Sequence, residues 1–362
     1  MKILIISANF YPILGPRAHR ATELALELAN QNHQVSSLSL CGQYDYKEFE
    51  SSTGIRILNL GRSRMGLLHN DNTRDYPLHI KAINKFLGKS LDLPYSELYF
   101  LVKNFLEKHH ENYDLVISLA HPHPIHWGVA RYLDDNPGFT KKWIADCGDP
   151  YMLDPLNKHP AYFEKFERKF CEKADAITVP YEGAKKGYYP EYISKIKVIP
   201  QGFNFNNVEI EKYIPNSVPT FAYSGVFYKK HRDPSSFLEF LSNLDYEFKF
   251  IIYTKSTVLL EPYLQKLGSK LEIRSYIPRS ELLKELSKMD FLINIENESE
   301  IQSPSKLIDY ALTQRPILNV KSNFTETVAF EEFIKGNFSE QLIIKDIENY
   351  QIQNVVKKFL EI

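Results

Sequence analysis

The sequence predicts an α/β protein of two doubly wound halves, each a parallel sheet with helices on both faces. Three observations carry this. Short apolar runs alternate with helical periodicity along the whole chain, the signature of βαβ units. The series restarts after a polar stretch from Asn204 to Pro219, which reads as a linker. The length, 362 residues, suits two domains of about 150 residues each. The expected domains are 1–204 and 205–362, facing a cleft. A final helix over 347–360 is expected to pack back on the first.

The elements follow in order. Ile3 to Ile6 is the opening strand. Ala21, Leu24, Ala25, Leu28 and Ala29 then repeat at helical spacing, one face of a helix. Val35–Leu40, Ile55–Leu60, Leu115–Leu119, Trp143–Ala145, Ala176–Val179 and Ile196–Ile199 read as further strands, with a helix over Phe163–Lys173. The second series runs Phe221–Ser224, Phe248–Tyr253, Leu271–Ile273, Phe291–Ile295 and Pro316–Val320. Ligands of such sheets bind beyond the carboxyl ends of the strands.

Composition narrows the function classes. Hydrophobic residues are 43% and charged residues 25%, ordinary globular usage. Net charge is −1, which argues against a surface built for nucleic acid. Cys41, Cys147 and Cys171 form no CxxC pair, so a disulfide framework or structural zinc is not expected, and a reducing cytosol fits. No run reaches 18 apolar residues, the length of a membrane span.

Two C-terminal segments concentrate phosphate-binding chemistry. In one, a strand ends near Gly225, and Lys229, Lys230 and Arg232 follow closely. A missing Cβ lets a ligand approach the backbone, and arginine can hold a diphosphate bidentately. In the other, Ser303 stands at an N-cap and Pro304 at the first helical position, with Ser305 and Lys306 in the first turn and Asp309 one turn on. A helix start favours phosphate and a lysine adds a cation. A carboxylate suits two sugar hydroxyls. Each segment also reads as an ordinary solvated turn or capped helix.

The N-terminal half offers Gly15 and Arg17 after the first strand. They do not make a GxGxxG fingerprint, so a dinucleotide dehydrogenase is not expected. His121, His123 and His126 lie in a proline-rich loop with no carboxylate or cysteine at local ligand spacing, so metal is not expected there. Asp146 and Asp149 flank a strand end, a place for acceptor contacts or, at Asp149 before Pro150, a simple turn. From 62 to 89 there are six basic residues and two acids, with Ile80, Ile83, Phe86 and Leu87 at helical spacing. That segment reads either as an interfacial helix drawn to anionic lipid or as a helix packed on its own domain.

These segments together resemble GT-B glycosyltransferases of the large retaining family 4. Pro304-Ser305-Lys306-Leu307-Ile308-Asp309-Tyr310 is similar to the family's Pro-Ser-Lys-Leu-x-Glu-Tyr, followed here by Arg315-Pro316-Ile317. Ser275 to Leu282 looks like its nucleobase loop, Trp143 to Pro150 like its Trp-Ile-x-Asp-x-Arg-Asp-Pro segment, and Val198 to Phe203 like its pre-linker motif. Asn9 to Pro12 with Gly15 resembles its first glycine loop. The likeness spans nearly the whole chain. It departs in two places: Ile301 stands where the proximal acid of a Glu-x7-Glu pair belongs, and Gly148 stands where the arginine belongs.

The resemblance implies transfer of a sugar, with retention, from a nucleotide diphosphate to a glycan or lipid-linked acceptor in bacterial surface polysaccharide synthesis. It implies a cytoplasmic protein, peripheral on the membrane if the 62–89 segment is interfacial. Arg232, Lys229, Lys230, Lys306, Ser303, Ser305, Gly15 and Gly225 would serve the diphosphate. Asp309 would hold the ribose, and Tyr276, Ile277 and Leu282 the base. His121 or His123 would meet the donor sugar, and Arg17, Asp146 and Asp149 the acceptor side. No metal cofactor is expected, since protein cations would neutralise the diphosphate and no Asp-x-Asp motif occurs. The alternatives are an epimerase of the same fold and a degenerate subunit that binds a nucleotide or a partner.

Overall fold

A computed structural model describes residues 1–13, 15–63, 86–88, 90–154, 157–206, 208–229, 232–296 and 306–362. The chain divides into two compact units, Met1–Phe203 with Ile352–Ile362, and Asn204–Gln351. Most of the basic 62–89 segment (64–85 and 89) lies outside the described residues. No described helix is long and apolar enough to cross a membrane.

The first unit is built on seven parallel strands: β1 (Lys2–Ser7), β2 (Gln34–Ser39), β3 (Arg56–Asn59), β4 (Tyr113–Ala120), β5 (Thr140–Cys147), β6 (Ala176–Val179) and β7 (Ile196–Val198). Their order is β3-β2-β1-β4-β5-β6-β7, a doubly wound sheet that reverses between β1 and β4. The strand period of two divides the core. Leu4 and Ile6 face one apolar cluster with Val116 and Trp143. Ile3 and Ile5 face the other, with Ile117, Ile144 and the Ala21, Leu24, Ala25 and Leu28 stripe of α1 (Pro16–Asn30). Burial on both faces is why the central strands β1 and β4 carry continuous apolar runs, Ile3–Ile6 and Leu115–Ile117.

The second unit repeats the design with β8 (Thr220–Ser224), β9 (Lys249–Tyr253), β10 (Leu271–Arg274), β11 (Phe291–Ile295) and β12 (Ile317–Val320). Their order, β10-β9-β8-β11-β12, reverses between β8 and β11. Phe221, Phe250 and Phe291 stack across three neighbouring strands, with centroids 4.7 to 4.8 Å apart.

The end of the chain differs from its periodicity, which predicts one helix over 347–360. A short 3-10 turn (Ile347–Tyr350) precedes a separate α-helix, Ile352–Leu360. The break has a cause: the Ile352 N–H donates to the Phe203 carbonyl at 2.9 Å. Ile352, Val355, Val356 and Phe359 then fill the cluster against the first helix. Gly202 permits the approach, since a Cβ there would stand 2.5 Å from Ile352 Cδ1.

Val355→Asp would bury an unpaired charge in this cluster. We expect it to cost about 3 kcal/mol or more in urea unfolding. Lys357→Asp, on the exposed side of the same helix, should stay within about 0.5 kcal/mol.

Candidate functional site

In the second unit the reversal between β8 and β11 brings the two basic segments together. The chain leaving β8 turns at Gly225, whose φ of 142° favours glycine; a Cβ there would also crowd Tyr223 Oη at 3.1 Å. Tyr228 and Arg232 then exchange backbone hydrogen bonds of 3.1 and 2.8 Å, which returns Arg232 towards the strand end. Its Nη1 reaches the Val226 carbonyl at 3.4 Å. Lys229 is exposed beside it, and Lys230 lies outside the described residues.

The chain leaving β11 re-enters the described residues as a short helix, Lys306–Leu312. Ser303, Pro304 and Ser305 lie outside them, as does Ile301. Lys306 Nζ stands 4.0 Å from the centroid of the Tyr223 ring and 5.8 Å from that of Tyr310. It is shut off from solvent and has no hydrogen-bond partner among the described residues. Burial pushes its ammonium well below the usual 10.5, and the charge of Arg232 adds to the shift. Tyr310 is fixed in turn by the Ser224 N–H, which donates to its hydroxyl at 2.7 Å. Two cations and two tyrosine rings therefore converge where β8 and β11 end, a geometry that suits a polyanion.

Asp309 is less available than expected. Arg279, at the start of the helix Arg279–Leu286, places Nε at 2.8 Å and Nη2 at 2.7 Å from Asp309 Oδ1. Burial raises the carboxyl above its usual value against the opposing pull of Arg279. Tyr276 is half-exposed, with Lys255 Nζ at 4.5 Å from its ring centroid. Ile277 is partly buried against the core. Leu282, expected to meet the base, has its side chain packed in the cluster with Tyr253, Leu286 and Tyr310 instead.

In the first unit Asp146 is a second correction. It is 1% exposed, and every lone-pair direction is claimed. Arg20 donates from Nε to Oδ2 and from Nη2 to Oδ1, both at 2.7 Å. Thr178 Oγ1 donates to Oδ1 at 2.6 Å, and Arg17 Nη2 to Oδ2 at 2.5 Å. Burial would raise this carboxyl, but Arg20 and then Arg17 outweigh it and hold it below the ordinary 3.8. A carboxylate so engaged has no capacity left for an acceptor. Arg17 keeps partial exposure, and its guanidinium fills the space beyond Gly148, where a Cβ would stand 3.2 Å from Nη1. Asp149 remains exposed, within electrostatic reach of Arg17. Gly15 is exposed and extended, and a Cβ there would touch nothing, so no steric demand selects glycine.

The histidines separate. His123 is 1% exposed, its ring packed against Tyr151, Phe170 and His126. Enclosed by these rings it presents no face to a donor sugar, which corrects that assignment. His126 is held between Ser118 Oγ at 2.8 Å and Cys147 Sγ at 3.4 Å, and burial pushes it down to about 3. His121 alone is exposed, edge-on to Tyr95 with centroids 4.8 Å apart. Among the described residues no group of His, Cys, Asp and Glu could hold a metal ion.

Sequence reasoning missed Arg20, Arg279 and Tyr223. Arg20 left one signal: a charge beside Ala21 and one turn before Leu24, on the apolar stripe, implies a buried partner.

The two doubly wound sheets give the chain the GT-B fold of glycosyltransferases. Among solved structures it is similar to a glycosyltransferase from Rickettsia africae, with 12% identity, 99% of this chain and 97% of that one covered, and a TM-score of 0.63. It is similar to HepE of Anabaena, solved with UDP and glucose, with 10% identity, 100% and 98% covered, and a TM-score of 0.64. S. aureus TarM gives 10% identity, 100% and 98% covered, and a TM-score of 0.64. At such identities the likeness establishes the fold. No protein-family model and no curated protein matches the sequence.

Asp146→Asn leaves Arg20 buried without its counter-charge and should cost about 3–5 kcal/mol. Because the folded carboxyl lies below the unfolded 3.8, its contribution is present above that pH and lost as pH falls below it. Urea unfolding across acid pH should show that loss in the parent and a flatter profile in the variant. Lys306→Met should act the other way. The folded ammonium titrates below the unfolded 10.5, so carrying the charge is penalised in the folded state and the penalty eases as pH rises towards 10.5. Removing the amine should raise stability at neutral pH by about 1–2 kcal/mol and flatten the parent's gain in stability as pH rises towards 10.5.

Proposed function

We propose that this protein is a glycosyltransferase that moves a sugar from a nucleotide diphosphate to a glycan or lipid-linked acceptor. The observation that carries the reading is Lys306. Its ammonium is buried, without a hydrogen-bond partner among the described residues, and stands close to Arg232 where β8 and β11 end. A lone protein gains nothing from two like charges held together; a diphosphate would neutralise both. HepE, with the same fold, was solved with UDP and glucose, and TarM with UDP, α-GlcNAc-glycerol and Fondaparinux.

Retention rests on the resemblance of 304–310 to the retaining family. In that mechanism the bond from C1 to the diphosphate oxygen breaks and the diphosphate leaves with the electron pair. The acceptor hydroxyl oxygen bonds C1 on the same face and its proton passes to the departing diphosphate. Lys306, Arg232 and Lys229 would stabilise the charge that develops on the leaving group, without a metal. The Asp309 carboxylate, positioned by Arg279, would take the ribose, and Tyr276 would flank the base. His121 is the histidine we assign to the transferred sugar, and Arg17 to the acceptor side. Synthesis of bacterial surface polysaccharide on the inner face of the membrane is the setting the resemblance favours.

A thermal-shift panel of UDP, GDP, ADP and dTDP tests the donor site. One of them should raise the melting temperature, and Arg232→Ala and Lys306→Ala should each weaken its binding by about 1–3 kcal/mol. Unchanged affinity in both would refute the phosphate assignment. Stabilisation without transfer or hydrolysis of any matching nucleotide sugar would favour a binding subunit.

A further inference from the structure

The first unit carries a cavity of about 370 Å³ that none of these assignments uses, a size suited to a small molecule. Its lining includes Pro12, Ile13, Leu40, Gln43, Tyr44 and Tyr46. It follows the ends of β1 and β2, the edge where parallel sheets hold ligands.

Its chemistry is specific in two respects. No lining residue carries a charge, in contrast to the Lys306 and Arg232 pair, so the cavity suits a neutral ligand and not a diphosphate. It also holds a braced aromatic ring. Tyr44 is 43% exposed, yet its ring lies T-shaped against Tyr11 and Tyr46, with interplanar angles of 85° and 76° and centroids 5.8 and 4.8 Å apart. Tyr11 is stacked on Phe49 at 4.9 Å, and the Tyr46 hydroxyl donates to the Tyr11 carbonyl at 2.5 Å. An exposed ring fixed by its neighbours loses little freedom when a ligand covers it. Its electron-rich face attracts polarised C–H groups, and the Gln43 amide beside it can both donate and accept hydrogen bonds. One apolar face with a rim of hydroxyls is the chemistry of a pyranose.

We propose that this cavity is an acceptor subsite that stacks one neutral pyranose ring of the acceptor on Tyr44. The identity of the ligand rests on the glycosyltransferase reading; the site itself rests on the cavity and its rings.

Saturation-transfer NMR on the full chain tests it. The probes are methyl α-glucoside, methyl α-galactoside and methyl N-acetyl-α-glucosaminide, with UDP as a separate arm. At least one glycoside should show saturation of its ring protons. The signal should fall at least about threefold in Tyr44→Ala and persist in Tyr44→Phe, which keeps the ring. Absence of signal from all three glycosides, or an equal signal in Tyr44→Ala, overturns the subsite. Loss in Tyr44→Phe as well would assign the contact to the hydroxyl and overturn the stacking. The UDP signal should be the same in all three proteins. Its absence beside an intact glycoside signal would defeat the donor reading and leave this subsite standing.

Discussion

The carboxylate of Asp146, buried between Arg20 and Arg17, is the interaction on which the first unit turns. It ties β5 to β6 through Thr178 and both strands to the first helix through the two arginines. Arg20 then spends its remaining donors on the Pro200 and Ile199 carbonyls, at 2.6 and 3.1 Å. That fixes the chain just before Phe203, whose carbonyl receives Ile352 and starts the last helix. A buried ion pair is often no more stabilising than an apolar replacement. Its value here lies in direction: one anion orients four segments, because guanidinium and carboxylate bond only along fixed axes.

The second unit handles charge in the opposite way. Lys306 is buried with tyrosine rings for company and Arg232 close by. Left so, it costs stability, since an ammonium out of water without an anion is disfavoured. Proteins retain such local conflicts where function requires them. The same logic separates the three histidines. His126 is satisfied and structural, His123 is enclosed by rings, and of the three only His121 is exposed.

Much of the fold was legible in the sequence. Ile3–Ile6 and Phe291–Ile293 are apolar because both faces of their strands are covered, and the 21–29 stripe marks a helix face. Gly225 was legible too, since a glycine between a strand and a basic turn signals close approach. The candidate site was legible only in part. Lys306 and Arg232 stand out as charge at strand ends. Asp146 looks identical in sequence to an acceptor contact, and Leu282 to a base contact. Neither residue announces that its partners lie in the core.

What the sequence by itself determined was local: which segments are strands, which are helices, and where cations follow strand ends. These depend on spacing within about one element. What only the tertiary structure decided was pairing. Asp146 meets Arg20 across 126 residues and Asp309 meets Arg279 across 30. Whether a charge is spent inside the fold or left for a ligand depends on what the sheet order brings beside it. That order is set by packing over the whole domain, so no window of the sequence contains it.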